Sequence, residues 1–216
     1  MERFLVGIDA FEFLRKEGFP LLRTRFAQSV DEAVQLAKEI GFPISLKVSS
    51  PDVIHKSDLG GVKVGLRDEE QVRGAFQEIA DAFRAMSASG KFEGVLVQEM
   101  GKGTEVIIGA IHDPQFGPVI MFGLGGIFVE VVRDVSFRLI PIERKDACEM
   151  IRQIKGFPIL SGARGERVDL EAIEVILMQV SSLVIDSSQI VEMDLNPVFA
   201  NDQGCAICDA RIKMKG

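Results

Sequence analysis

Two acidic residues, a carboxamide and a guanidinium recur near the C-terminus at a spacing suited to holding a metal ion. Asp194 and Asn196 lie in Ile190 to Ala200 (IVEMDLNPVFA), Asp209 and Arg211 in Cys205 to Met214 (CAICDARIKM). Each segment alternates apolar with polar or small residues, the strand period, and Asn201-Asp202-Gln203-Gly204 between them has turn composition. With Ala200 opposite Cys205, Asn196 faces Asp209 and Asp194 faces Arg211 on one side of a hairpin; Met193, Leu195, Cys208, Ala210 and Ile212 line the other. Hard oxygen donors grouped this way suit magnesium, which takes few protein ligands and leaves room for nucleotide phosphates. The competing reading is a solvated sheet face with one Asp–Arg pair.

A second group lies in the first half of the chain. His55 sits in the polar loop Pro51-Asp52-Val53-Ile54-His55-Lys56-Ser57-Asp58-Leu59, which ends on Gly60-Gly61. The charge of Lys56 disfavours the protonated imidazole, so His55 is kept neutral and able to accept a phosphoryl group; bonding to a loop carbonyl is the plainer alternative. Gly60 and Gly61 would let backbone amides approach phosphate oxygens. Lys47, mid-strand between Leu46 and Val48, must face solvent or find an anion such as a nucleotide phosphate. Gln98-Glu99-Met100 closes a strand at a proposed hinge, where backbone groups can read adenine edges, and Glu105 opens the next strand, placed to hold ribose hydroxyls. Gly125 and Gly126 form a second glycine turn without the GK[ST] of a P-loop. Arg133, Arg138 and Arg164 are further cations able to clamp phosphate, and His112 reads as structural.

These groups need elements to hold them. The apolar spacing predicts a helix over Phe4 to Lys16, stopped at Gly18-Phe19-Pro20. A capping box at Ser29 and Glu32 predicts a helix with Ala33, Val34, Ala37 and Ile40 inward, closed by Gly41. Ile44 to Ser49 reads as a strand, and Asp68 caps a long helix whose inner face carries Val72, Phe76, Ile79, Phe83 and Met86. Strand-like runs follow at Gly94 to Met100, Glu105 to His112, Pro118 to Phe122 and Phe128 to Ile142. Helices over Arg144 to Ile154 and Asp169 to Ile185 precede the closing hairpin. The order predicts an α+β (α/β) domain over 1–216 with two lobes, 1–97 with its leading helix and 98–216.

Composition narrows the class. A hydrophobic fraction of 47% over 216 residues fills a substantial core. The net charge of -7 opposes non-specific binding to nucleic acid or an anionic membrane. Cys205 and Cys208 form a CxxC within one predicted strand, so they point to opposite sides and make a poor redox or zinc pair; with Cys148 they read as buried thiols in a reducing compartment. The first residues, broken by charges, do not read as a signal peptide, no apolar run reaches membrane-spanning length, and a cytoplasmic location is expected.

Gly41 to Leu66 (GFPISLKVSSPDVIHKSDLGGVKVGL), Val97 to Leu139 (VQEMGKGTEVIIGAIHDPQFGPVIMFGLGGIFVEVVRDVSFRL), DLNP and CDARI together resemble the ATP-grasp family, and within it the β subunits of ADP-forming acyl-CoA (acetyl-CoA) synthetases, relatives of succinyl-CoA synthetase. The resemblance implies nucleotide, ATP or ADP, held between two α+β lobes. By position it gives Lys47 to the α- and β-phosphates, the Gln98 to Met100 hinge to adenine, Glu105 to ribose, and Asn196 and Asp209 to magnesium, with Asp194 and Glu130 close by. His55 matches the family's phosphoryl relay to a second phosphohistidine on a partner. The implied reaction is acyl-CoA + ADP + phosphate ⇌ carboxylic acid + CoA + ATP. No segment resembles a CoA-binding domain, so a CoA-binding α subunit is implied as partner in a hetero-oligomer. Two rivals remain: an ATP-grasp carboxylate–amine or carboxylate–thiol ligase working through an acyl phosphate, and a non-catalytic nucleotide-sensing module.

Overall fold

A computed structural model describes residues 2–50, 60–86, 90–126, 134–163 and 167–216. Along the chain the elements are β1 (Arg3–Val6), α1 (Gly7–Lys16), β2 (Thr24–Ala27), α2 (Val30–Ile40), β3 (Ile44–Ser49), β4 (Val62–Leu66), α3 (Glu69–Met86), β5 (Gly94–Glu99), β6 (Thr104–Asp113), β7 (Gly117–Leu124), β8 (Val135–Leu139), α4 (Arg144–Gln153), α5 (Phe157–Leu160), α6 (Leu170–Asp186), β9 (Ile190–Asn201), β10 (Gly204–Ile207) and β11 (Ala210–Met214). They form two compact units. One comprises 6–8 and 22–100; the other comprises 1–5, 9–21 and 101–216, so most of the leading helix groups with the later part of the chain.

The first unit is an antiparallel sheet in the order β2-β5-β3-β4 packed against α2 and α3. Local chemistry accounts for its helices. The Glu32 amide donates to Ser29 Oγ at 3.3 Å while the Glu32 carboxylate accepts from the Gln28 amide at 2.8 Å, which satisfies two donors at the start of α2. Ala33, Val34, Ala37 and Ile40 turn inward, and the Gly41 amide closes the helix on the Ala37 carbonyl. Asp68 accepts from the Gln71 amide at 2.8 Å at the start of α3, whose Val72, Phe76, Ile79 and Phe83 are buried. Met86, expected on that inner face, is exposed in the last turn. β3 sits between β5 and β4 and is buried along its whole length, Lys47 included.

In the second unit, a seven-stranded sheet runs β1-β11-β9-β6-β7-β8, with β10 also paired to β9. Leu5, Ala10 and Leu14 from the N-terminus join Met150, Ile151, Ile173, Leu177 and Val180 of α4 and α6 in its core. Asp169 caps α6 by accepting from the Ala172 amide at 3.1 Å. Three expectations need correction here. Residues 3–6 form a strand where a helix was expected from Phe4 onward: the apolar Phe4-Leu5-Val6 run finds a place beside β11, and α1 begins only at Gly7. The final strand is split into β10 and β11 at Cys208 and Asp209: the Cys208 amide still donates to the Pro197 carbonyl at 2.9 Å, but Pro197 has no N–H to return the bond. The three cysteines form no disulfide and are half-buried rather than buried. Among the described residues no helix is long and apolar enough to cross a membrane.

Candidate functional site

The closing hairpin has the expected register. Cys205 pairs with Ala200 and Arg211 with Asp194, and the Asn196 amide donates to the Asp209 carbonyl at 3.1 Å where the strand is interrupted. Met193, Leu195, Ala210 and Ile212 are buried, which leaves Asn196 exposed and Asp194, Asp209 and Arg211 half-buried on the opposite face. That side is continued across the sheet. One transverse row reads Arg211, Asp194, Gly109, Met121 and Phe137, and the next reads Lys213, Glu192, Ile111, Val119 and Leu139. Gly109, Ile111, Met121, Phe137, Glu192 and Asp194 border an open groove of about 180 Å³.

The electrostatics of this face differ from the sequence expectation in one respect. Arg211, opposite Asp194 by register, gives its ion pair to Glu192 instead, Nη2 to Oε1 at 2.7 Å. Side chains two residues apart on one strand lie on the same face, so the long guanidinium arm reaches diagonally to the longer carboxylate. Burial pushes the Asp194 carboxyl above its ordinary range; Arg211 opposes that, while Glu192 and Asp209 reinforce it. Glu192 was missed from sequence, although its alternation with Asp194 and Asn196 along β9 was the available signal.

Asn196 and Asp209 offer one carboxamide oxygen and one carboxylate, with Asp209 Oδ1 also accepting from the Ala210 amide at 3.0 Å. Among the described residues no group of three or more His, Cys, Asp or Glu side chains is placed to hold a metal. A two-ligand, all-oxygen site is compatible with that finding and with magnesium, which keeps most of its shell for water and phosphate.

In the four-stranded unit, Lys47 is 7% exposed on β3, which removes the solvent-facing alternative. The Gln98 side chain is buried and donates from Nε2 to Thr24 Oγ1 at 2.8 Å. Glu99 is held by Arg23, whose backbone N–H and Nε donate to its two carboxylate oxygens at 2.8 and 2.7 Å. Both side chains are therefore spent on fixing the end of β5, and what this segment can offer a base is backbone beside Met100. The Arg23 clamp had no signature in the sequence. Gly60 is exposed with φ 64°, and the Val48 amide donates to the Gly61 carbonyl at 2.7 Å. Glu105 is exposed at the start of β6 opposite Phe199, and the Gly125 amide donates to its carbonyl at 2.7 Å. Arg138 is engaged by Gln153 and Glu149, and His112 is exposed at the end of β6. His55, Lys56, Glu130, Arg133 and Arg164 lie outside the described residues.

Known proteins share this architecture and much of the sequence. A match to the ATP-grasp domain runs over residues 1–214. The β subunit of ADP-forming acetate–CoA ligase I from Pyrococcus furiosus is 46% identical over 212 residues, which span 97% of this chain and 91% of that one. A structure of dinucleotide-forming acetyl-coenzyme A synthetase 1 from Ca. Korarchaeum cryptofilum, in complex with coenzyme A, Ca-AMPCP and HgCl+, matches with a TM-score of 0.95 at 47% identity, covering 99% of this chain and 94% of that one. A second structure of that enzyme, with coenzyme A and Mg-AMPPCP and its phosphohistidine segment pointing towards the nucleotide-binding site, matches with a TM-score of 0.84 at 44% identity over 98% and 93% of the two chains. Aligned nearly end to end with these proteins, the chain belongs to the ATP-grasp family, in the branch of the ADP-forming acetate–CoA ligase β subunits.

Proposed function

We propose that this chain is the nucleotide-binding β subunit of an ADP-forming acyl-CoA synthetase, interconverting acyl-CoA, ADP and phosphate with carboxylic acid, CoA and ATP together with a CoA-binding α subunit. The near full-length match to the P. furiosus β subunit carries the reading. The buried Lys47 and the Asn196–Asp209 register support it. In this assignment Lys47 meets the α- and β-phosphates, the amides near Gly60 and Gly61 and that of Gly126 approach phosphate oxygens, Gly125 having given its own to the Glu105 carbonyl, the backbone of Gln98, Glu99 and Met100 reads the base, and Glu105 accepts from the ribose hydroxyls.

Asn196 and Asp209 would hold magnesium, which when bound neutralises phosphate charge. The neutral His55 imidazole attacks the γ-phosphorus of ATP. A P–N bond forms, the P–O bond to the β-phosphate breaks, and ADP leaves; the reverse step uses phosphohistidine and ADP. Lys56, Asp194 and Glu130 complete the catalytic set of this assignment. The phosphoryl group then passes to a histidine of the partner, where acyl and CoA chemistry takes place. A nucleotide substrate supports a cytoplasmic location.

The test is incubation with magnesium and γ-labelled ATP, followed by partition of acid-labile, base-stable label on protein, for the wild type, His55→Ala and Asp209→Ala, each with and without a candidate α subunit. Label on the wild type, none on His55→Ala and roughly a hundredfold slower labelling of Asp209→Ala are expected, the size of effect that loss of positioned charge on a phosphoryl group produces. Nucleotide binding without label on any protein, even with the partner present, would leave a direct ligase or a sensor in its place.

A further inference from the structure

The Gly125-Gly126 turn makes its nearest approach to Glu105. The Gly125 amide donates to the Glu105 carbonyl at 2.7 Å, one step beyond the last pair of the β6–β7 ladder, Val106 with Leu124. Gly125 is buried, and a Cβ built on it would stand 2.9 Å from Glu105 Cβ and 3.2 Å from both the carbonyl carbon and oxygen of Glu105. Gly126 has φ +62°, and a Cβ there would stand 3.7 Å from Glu105 Oε2. The bare backbone of the turn is thus the surface along which the Glu105 side chain lies, from its base at Gly125 to its carboxylate at Gly126.

The atoms that crowd position 125 belong to backbone and to a Cβ, so no side-chain end can swing away to relieve them. Adding a methyl group moves the start of β6 or the turn by tenths of an ångström, and a carboxylate three bonds from the displaced Cβ is redirected by more. A carboxylate that accepts from two vicinal hydroxyls depends on that direction, because hydrogen bonds weaken steeply as they bend. We propose that the Gly125-Gly126 turn is a positioning element that aims the Glu105 carboxylate at the ribose 2′- and 3′-hydroxyls, and so sets the preference for ribonucleotides over nucleotides lacking those hydroxyls. The inference rests on the assignment of Glu105 to ribose.

The experiment compares binding of ATP and 2′,3′-dideoxy-ATP, with magnesium, to the full chain by titration calorimetry. The wild type is expected to favour ATP by roughly tenfold to hundredfold, the range that charge-assisted hydrogen bonds carry. Glu105→Ala should abolish the preference. Gly125→Ala should reduce the preference at least about fivefold, whatever it costs both nucleotides alike through the neighbouring turn, and added to Glu105→Ala it should change the preference no further. Equal loss of affinity for both nucleotides in Gly125→Ala, or an unchanged preference, overturns the inference alone. An unchanged preference in Glu105→Ala overturns the ribose assignment and the inference with it. If Gly125→Ala does not fold, Gly126→Asn serves instead: Asn tolerates the left-handed backbone and brings a side chain against the carboxylate. Its preference should also fall, and a wild-type ratio would overturn the inference.

Discussion

Replacing Arg211 with Met removes the cation from the acidic face of β9 and keeps most of the aliphatic arm, so the effect is electrostatic rather than a cavity. Arg211 contacts Glu192 at 2.7 Å, both side chains 32% exposed, and also attracts Asp194. Two unit charges about 4 Å apart at an effective dielectric of about 20 attract by about 4 kcal/mol, and desolvation of groups this far from water cancels more than half. A loss of about 1–2 kcal/mol at pH 8 follows, above the ~0.2–1 kcal/mol of a fully exposed pair. The pH dependence gives the sharper test. Asp194 has a raised carboxyl, so its ionised form is disfavoured in the folded protein; the penalty is absent below the ordinary value of 3.8 and grows as pH rises through the folded value. Arg211 opposes that penalty, and without it the folded value climbs further. Arg211→Met should therefore cost more at pH 8 than at pH 4.5, measured by urea denaturation at both. An equal loss at the two pH values, or a larger one in acid, would refute this account of the acidic face.

Two other sites allow direct checks. Asp134 is buried and accepts from the Lys155 and Gly156 amides at 2.8 and 2.6 Å, which ties β8 to the turn before α5. Asp134→Ala leaves two part-buried donors without their acceptor and should cost about 1–3 kcal/mol in denaturant unfolding, with Asp134→Asn, which retains one acceptor, losing less. Burial pushes the Cys205 thiol up to about 12, with the Asp169 carboxylate adding to the shift. The thiolate is the reactive form, so in native protein at pH 8 Cys205 should resist iodoacetamide and become labelled only on unfolding, as read by peptide mass mapping. Rapid native labelling would contradict that environment.

Local signals in the chain carry far because they report on neighbours a few residues away. Ser29 with Glu32 and the inward row Ala33, Val34, Ala37 and Ile40 specify α2 to the residue. The limits of β3 at Ile44 and Ser49 are likewise those the pattern predicts. The hairpin register was legible too, since a turn that places Ala200 opposite Cys205 leaves a period-two ladder no freedom before Asn196. Resemblance over long segments then supplied the family.

What the sequence could not supply are relations between residues distant along the chain. That Phe4-Leu5-Val6 is a strand depends on β11 lying beside it, a contact some two hundred residues away in sequence; without that neighbour its spacing suits the start of a helix. That Arg211 turns to Glu192, that Arg23 clamps Glu99, and that Gly125 lies under Glu105 depend on side-chain length and strand order, which periodicity does not encode. From the sequence alone came most of the elements, the candidate donor pair Asn196 and Asp209, and the candidate relay at His55. The tertiary structure decided which charges meet and which backbone supports which carboxylate, because such contacts are set by packing in three dimensions, where neighbours in space need not be neighbours in the chain.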